Sequence, residues 1–260
     1  MNSAIMTNRG VASLSSSRFL AVVIAAAVLS ACATPHGADN DPLEPVNRAV
    51  HGFNKGVDKV VLRPASQVYG QGVPEPLRQG ISNVGDVLGL PSVIANDILQ
   101  AKFIDATNNT LRLGVNLTFG LGGLIDVASA AGMPEKSNDF GTTLATWGMG
   151  EGPYVELPLY GPSTGRDAMG KVVDIALDPV GNLFEGDDRK TYVGVNALGI
   201  LDNRYRYSNT VDSILYESAD SYAQAKLLYL QNRRFALEGA DGSTVSDDEF
   251  IDPYEDINGQ

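Results

Sequence analysis

The chain has 260 residues, 43% of them hydrophobic, and a formal net charge of −12 at pH 7. That length fits one domain or at most two, with enough apolar content for a core, so disorder of the whole is excluded. The acidic balance argues against nucleic acid and against docking on anionic lipid through a basic patch.

The amino terminus reads as a leader. Arg9 and Arg18 precede the apolar run Phe19 to Leu29, which leads into Leu29-Ser30-Ala31-Cys32. The run is far shorter than the roughly 20 residues of a spanning helix, so it is a secretory signal. Leu-Ser-Ala-Cys matches a bacterial lipobox, in which cleavage precedes the cysteine and acyl chains are added to it. Cys32 is the only cysteine, so lipidation leaves no thiol for a disulfide, a metal or catalysis. At about 0.8 kcal/mol per buried methylene, three acyl chains hold a protein on a membrane essentially permanently. By resemblance to bacterial lipoproteins, Asp after the cysteine favours inner-membrane retention; Ala33 stands there and points to the outer membrane. Loss of Arg9 and Arg18 with the leader takes the mature chain from −12 to −14. The expected organisation is a signal peptide over 1–31, a lipidated linker over 32–40, a helical domain over 41–238 and a disordered acidic tail over 239–260. The linker spans no more than roughly 30 Å, which keeps the folded body at the membrane.

In the mature chain, Asp41-Pro42-Leu43-Glu44-Pro45 opens a first helix. Val46, Val50, Phe53, Val57, Val60 and Val61 share one face of it, and Arg63-Pro64 predicts its end. A short helical turn follows from Pro64 to Tyr69, before Gly70 and Gly72 break the chain. Leu77, Ile81, Val84 and Leu88 mark a second amphipathic helix, and Leu90-Pro91 the start of another that carries Val93, Ile94, Ile98 and Leu99. From Leu113 to Ile125 there is no charge, and Gly120, Gly122 and Gly123 break the segment. It is too short to span a bilayer and is either core or lipid-facing; a helix from Leu124 to Ala131 follows.

The stretch Phe140 to Asp167 holds the only tryptophan, and in it Gly148, Gly150 and Gly152 alternate with Met149 and Glu151. Such a run is no stable helix, since each glycine costs about 1 kcal/mol there and permits positive φ. It predicts a glycine-hinged loop with an apolar tip, in which Pro158 and Pro162 exclude a central strand. A rigid packed loop crossing the core is the alternative. Ser163 and Thr164 are N-caps for a helix through Leu177, ended by Asp178-Pro179, and helical patterns continue over Thr191–Leu201 and Asn209–Phe235. From Gly239 onward the chain is acidic, without Lys or Arg, and reads as a solubilising tail or a carrier-docking segment.

From Asp41 to about Phe235 the sequence resembles the MlaA/VacJ outer-membrane lipoproteins. The residues carrying the likeness are Asp41-Pro42-Leu43-Glu44, Asn47-Arg48, Phe53-Asn54, Arg63-Pro64, Val73-Pro74 and the run Gly120 to Ala128. The strongest are Phe140 to Leu144, Gly148-Met149-Gly150, Gly152 to Ser163, and Arg166-Asp167. One departure is Asp220-Ser221, where the family usually has a proline after the aspartate. The resemblance implies an all-α, ring-like single domain of short, bent amphipathic helices around an amphipathic channel. It implies an outer-membrane lipoprotein lying in the inner leaflet that removes mislocalised phospholipid from the outer leaflet. The implied partners are phospholipid, a trimeric porin of the OmpC or OmpF type and a periplasmic carrier of the MlaC type.

A lipid crossing such a passage needs cations for its phosphate and an apolar wall for its tails. Arg112, at the edge of the uncharged stretch, and Arg166, after the hinged loop, are the candidates for the first role; each could instead pair with Asp126 or Asp167. No cofactor is expected beyond acyl chains on Cys32 and a transported phospholipid. Gly161-Pro162-Ser163-Thr164-Gly165 satisfies the G-x-S-x-G pattern of serine hydrolases, but His36 and His51 both precede it and Pro158 interrupts the strand it needs. No spacing suggests a metal or nucleotide site, so no catalytic residue is assigned. The competing non-enzymatic reading is a structural lipoprotein that braces a porin and carries no lipid.

Overall fold

The computed structural model of the chain describes residues 41–240; Cys32, Ala33 and the segment from 241 lie outside them. Helix α1 (Glu44–Val57) carries Pro45 in its first turn, where a missing N–H sacrifices no bond. It runs on through a π-helical turn (Asp58–Leu62) into α2 (Arg63–Gly72), past the expected stop at Arg63-Pro64. The Arg63 N–H reaches back to the Asp58 carbonyl, and this wider turn resets the register so that Pro64 falls in the first turn of α2. Gly70 lies within α2, because a Cβ there would meet the Tyr205 ring at 2.2 Å. Helix α3 (Glu75–Leu99) likewise carries Pro91 inside it rather than starting anew. Two elements are therefore longer than the spacing of Gly and Pro predicted.

Next come α4 (Phe103–Thr118), a tight turn, and the single-turn α5 (Val127–Ala130), shorter than the helix expected over Leu124–Ala131. Helix α6 (Phe140–Thr146) precedes an antiparallel hairpin of β1 (Tyr154–Leu157) and β2 (Gly161–Thr164), in which Pro162 pairs with Glu156. Both strands are edges, which is why Pro162 is tolerated. Thr164 caps α7 (Gly165–Leu177) through the Asp167 N–H at 3.2 Å, as its position predicted. Helix α8 (Gly186–Arg206), α9 (Ser208–Asp212), a second π turn (Ser213–Glu217) and α10 (Ser221–Ala240) complete the described chain. The helical pattern read as continuous over Asn209–Phe235 is thus broken at Ser218, whose backbone is extended.

Packing closes on itself. Helix α1 meets β1, the hairpin meets α7, α7 meets α6, α6 meets α3, α3 meets α8, and α8 returns to α2. The domain is all-α and ring-like, with the hairpin as the non-helical link in the circuit.

What is buried reverses the usual order. Among the described residues, twenty polar or charged side chains are buried against eight apolar ones, so the interior is not a hydrophobic core. On α1 and the π-helical turn that extends it, Asn47, His51 and Asp58 turn inward while Val46, Phe53, Val60 and Val61 are exposed. Helix α4 buries Asn109, Arg112 and Asn116 and exposes Ile104 by 86%; Phe119, at its end, is 74% exposed. Most buried charges are paired: Arg204 with Asp58 at 2.7 Å, Arg78 with Asp202, Arg166 and Arg233 with Asp167, whereas Asp97 is bonded by asparagines alone. Burying a charge is costly unless it is compensated. Among the described residues no helix is long and apolar enough to cross a membrane.

Candidate functional site

The hairpin is held by α1 through two asparagines that match backbone on both sides. Asn47 Nδ2 donates to the Tyr154 carbonyl at 3.0 Å, and its Oδ1 accepts the Glu156 N–H at 2.9 Å. Two turns further along the same face, Asn54 Nδ2 donates to the Leu157 carbonyl at 2.9 Å and its Oδ1 accepts the Leu159 N–H at 2.7 Å. Between them His51 lies 3.2 Å from Glu156 and 3.1 Å from Ser221 Oγ. Burial and the adjacent Glu156 carboxylate, which accepts the Tyr154 hydroxyl, push the Tyr154 phenol far up. Asp41 receives Asn47 at 2.9 Å, Lys226 at 3.0 Å and the Tyr222 hydroxyl, tying α10 to the same seam. The hairpin tip carries exposed Leu159 and Tyr160, the apolar tip that the sequence predicted.

The glycine segment joins α6 to β1, within a longer stretch from Asp139 to Asp167 that one side chain of α10 holds at its two ends. Arg233 makes paired bonds to Asp139 at 2.8 and 2.9 Å and to Asp167 at 2.9 Å, with Tyr229 adding a bond to Asp167 at 2.7 Å. Burial pushes both carboxylates up, but Arg233 outweighs it and holds both below the usual carboxylate range. The neighbouring Arg234 grips Glu151, inside the segment, at 3.0 and 3.1 Å. Gly148 and Gly152 adopt positive φ (89° and 73°), whereas Gly150 does not. A Cβ on Gly148 would meet open space, while Gly152 has Gly165 Cα at 3.5 Å from its would-be Cβ. The segment is therefore tethered at Glu151, inside a stretch held at Asp139 and Asp167, with room beside its first glycine.

The two candidate arginines are both buried. Arg112 Nη1 donates to Ser129 Oγ at 3.0 Å and to the Met133 carbonyl, and its Nη2 lies 3.3 Å from Asp126. Asp126 is pushed up by burial, but bonds from Ser129 and Asn116, with the Arg112 charge, hold it down at about 2. Arg166 pairs with Asp167 at 3.3 Å, and its Nη2 has no hydrogen-bond partner. Ser163, the centre of the hydrolase-like pattern, is fully buried in β2, 3.4 Å from Lys171 Nζ. No acyl substrate reaches it without opening the hairpin.

A ring with a polar interior, an apolar exterior and a tethered glycine segment is the geometry to compare with known proteins. The family model described as MlaA lipoprotein matches residues 39–236. The chain belongs to the MlaA lipoprotein family. It is 33% identical over 231 residues to the intermembrane phospholipid transport system lipoprotein MlaA of Shigella flexneri, covering 86% of this chain and 90% of that one. The Escherichia coli (strain K12) protein of the same name is 32% identical over the same shares. An uncharacterized protein of Rickettsia felis is 31% identical over 70% of this chain. A solved structure described as the structural basis for maintenance of bacterial outer membrane lipid asymmetry superposes with a TM-score of 0.65 at 32% identity. It spans 76% of this chain and 98% of that one.

Of the motif residues read in the sequence, Asp41, Asn47, Asn54 and Glu156 lie in the seam that holds the hairpin, and Asp167 is bridged by Arg233. Sequence reading singled out Gly148, Gly150 and Gly152 but missed Arg233 and Asp139. These lie 94 residues apart, with no local pattern to link them. The polar stripe Asn47, His51, Asn54 and Asp58, spaced at helical intervals, was the available signal for a face turned inward.

Proposed function

We propose that this chain is an outer-membrane lipoprotein that takes mislocalised phospholipid out of the outer leaflet and passes it inward. Acyl chains on Cys32 hold it in the inner leaflet, and the exposed apolar faces of α1, α4 and α7 lie in lipid. The observation that carries the reading is the reversed burial, polar within and apolar without, in a body whose described helices are too short or too polar to span. A surface of that kind in water would be an aggregation hazard; within one leaflet it is solvated by acyl chains. A phospholipid then moves through an amphipathic passage in the ring, its phosphate near Arg166 and Arg112 and its tails against the apolar side. Arg166 is the better candidate, since it bonds Asp167 alone and its terminal Nη2 lacks a partner, while Arg112 has only its Nε unpaired and is engaged with Asp126, Ser129 and the Met133 carbonyl. The glycine segment from Gly148 to Gly152 serves as the hinge. A trimeric porin and a soluble periplasmic carrier complete the route, by the family resemblance.

The test is replacement of a family member in a Gram-negative host lacking its own. Outer-leaflet phospholipid should fall to the level of the intact host when this chain is expressed and stay raised with Cys32→Ala, whose precursor should be uncleaved or mislocalised. Raised outer-leaflet phospholipid despite abundant, outer-membrane protein would refute the transport role. Pure protein bound to porin without phospholipid would favour the bracing role instead.

A further inference from the structure

We propose that the cleft between the end of α3, the segment 135–139 and α10 is a headgroup pocket selective for a phospholipid bearing a primary ammonium, of the phosphatidylethanolamine class. The proposal rests on the transport reading for the kind of ligand, and on this cleft for its selectivity. The cleft encloses about 520 Å³ and is lined by Asp97, Asp105, Glu135, Lys102, Lys136 and Arg233, with others. That size suits a small polar group.

Its floor lacks a cation. Asp97 is 1% exposed, and its two carboxylate oxygens accept from Asn138 Nδ2 at 2.7 Å and Asn109 Nδ2 at 2.8 Å. Among the described residues, buried Asp58, Asp167 and Asp202 each pair with an arginine, whereas Asp97 pairs with no lysine or arginine. Around it, Asn109 Oδ1 and Gln100 Oε1 are also buried without a donor, and Gln100 is joined to Asp97 through Asn138 at 2.8 Å. The Asp97 carboxylate thus faces the cleft with amide donors alone for company, and two amide oxygens behind it have no donor at all. A buried carboxylate without a counter-ion is unfavourable, and an ammonium with three N–H groups is its complement.

The rim has the opposite character. Lys102 and Lys136 border the cleft, and neither forms an ion pair among the described residues. A phosphodiester there meets two ammonium groups while its ethanolamine reaches the acidic floor. Choline has no N–H to give the floor, and a glycerol headgroup brings no cation. The lining also carries one acid more than it has bases, counting Asp97, Asp105, Glu135 and Asp139 against Lys102, Lys136 and Arg233, which disfavours a net anionic lipid. Beside the rim, Phe103 and Ile104 are exposed at the start of α4, and Trp147, half exposed, donates to the Leu99 carbonyl at 3.2 Å. Phe103 and Ile104 stand in the chain between the lining residues Lys102 and Asp105, where acyl tails would leave the cleft.

The test offers full-chain protein in detergent an equimolar mixture of phosphatidylethanolamine, phosphatidylcholine and phosphatidylglycerol with identical tails, then quantifies bound lipid. The ethanolamine lipid should be enriched about tenfold, the factor expected of one charge-assisted hydrogen bond. Asp97→Asn should erase the preference over choline. The rim pair Lys102→Glu with Lys136→Glu, which touches no buried bond, should lower bound ethanolamine lipid to a similar extent. Bound lipid that mirrors the mixture, unchanged by the rim pair, would overturn the pocket while leaving transport intact; no bound lipid at all would overturn both. With soluble probes, glycerophosphoethanolamine should bind more tightly than inorganic phosphate, and equal binding would overturn the zwitterion assignment.

Discussion

Two glycine-rich segments of the described chain are held in different ways. In the turn after α4, Gly120 is closed in: a Cβ there would meet the Ile125 carbonyl oxygen at 2.2 Å and the Asn116 carbonyl oxygen at 2.5 Å. The turn is stitched internally by the N–H of Gly122, Gly123 and Ile125 to the carbonyls of Leu117, Asn116 and Gly120 at 3.0 to 3.2 Å. Between α6 and β1, by contrast, Gly148 has open space beside it, its N–H is bonded to the Ala145 carbonyl at 2.8 Å, and long-range bonds hold Glu151 and the wider stretch from Asp139 to Asp167. At Gly120 a side chain would collide with backbone, whereas at Gly148 only the positive φ resists one. Composition alone does not separate the two, because what differs is the neighbours.

The comparison breaks most severely at Arg233. Arg233→Met leaves half-exposed Asp139 without its cation and buried Asp167 with Arg166 alone, and unfolding free energy should fall by about 3 kcal/mol in denaturant titration. A loss under about 1 kcal/mol would mean that the clamp contributes little beyond a surface pair. Gly120→Ala comes next, at about 2 to 3 kcal/mol, because the clash is with backbone. Gly148→Val should cost about 1 to 2 kcal/mol through its positive φ alone, with Gly150→Val costing less since that backbone is outside the left-handed region. Both should alter transport if the segment is the hinge; normal outer-leaflet lipid with both variants at normal abundance would remove that role.

Acid sharpens the same contrast. Asp139 and Asp167 have folded pKa values below the unfolded ones, so their stabilisation is complete above about pH 4 and declines as pH falls through the folded values. Amide exchange across Gly148–Gly152 should be steady from about pH 7 to 5, after correction for intrinsic rates, and its protection should fall below about pH 4. Asp126 acts with the same sign in the locked turn, its contribution fading between about 4 and about 2. The smallest effect on folding is expected on the outside: Phe119→Asp should change stability by less than about 0.5 kcal/mol in detergent yet weaken membrane retention of protein lacking its acyl anchor.

Much of this was legible in the residues. Thr164 as a cap, the glycine segment and the apolar hairpin tip follow from local chemistry, and the family motifs carried the ring. The direction of the helices was not legible. The valines of α1 mark a face, but period carries no sign, and the same stripe serves a watery protein's core or a lipid-facing exterior. Only the polar stripe opposite, with Asn47 and Asn54 each matching two backbone groups, settles which side is inside. Pro64 and Pro91 misled because a π turn absorbed the first and α3 tolerated the second. Arg233 was invisible because its partners are 94 and 66 residues away.

The central claim is that the apolar faces of the ring lie in lipid while its polar faces do not. Reporter groups placed one at a time at Val60, Ile104, Phe119 and Ile175, and on the polar side at Lys102 and Lys136, should be read against a quencher confined to the acyl region of proteoliposomes. Strong quenching at the first four and little at the lysines is the expected result. Equal, water-like behaviour at all six positions would contradict the account.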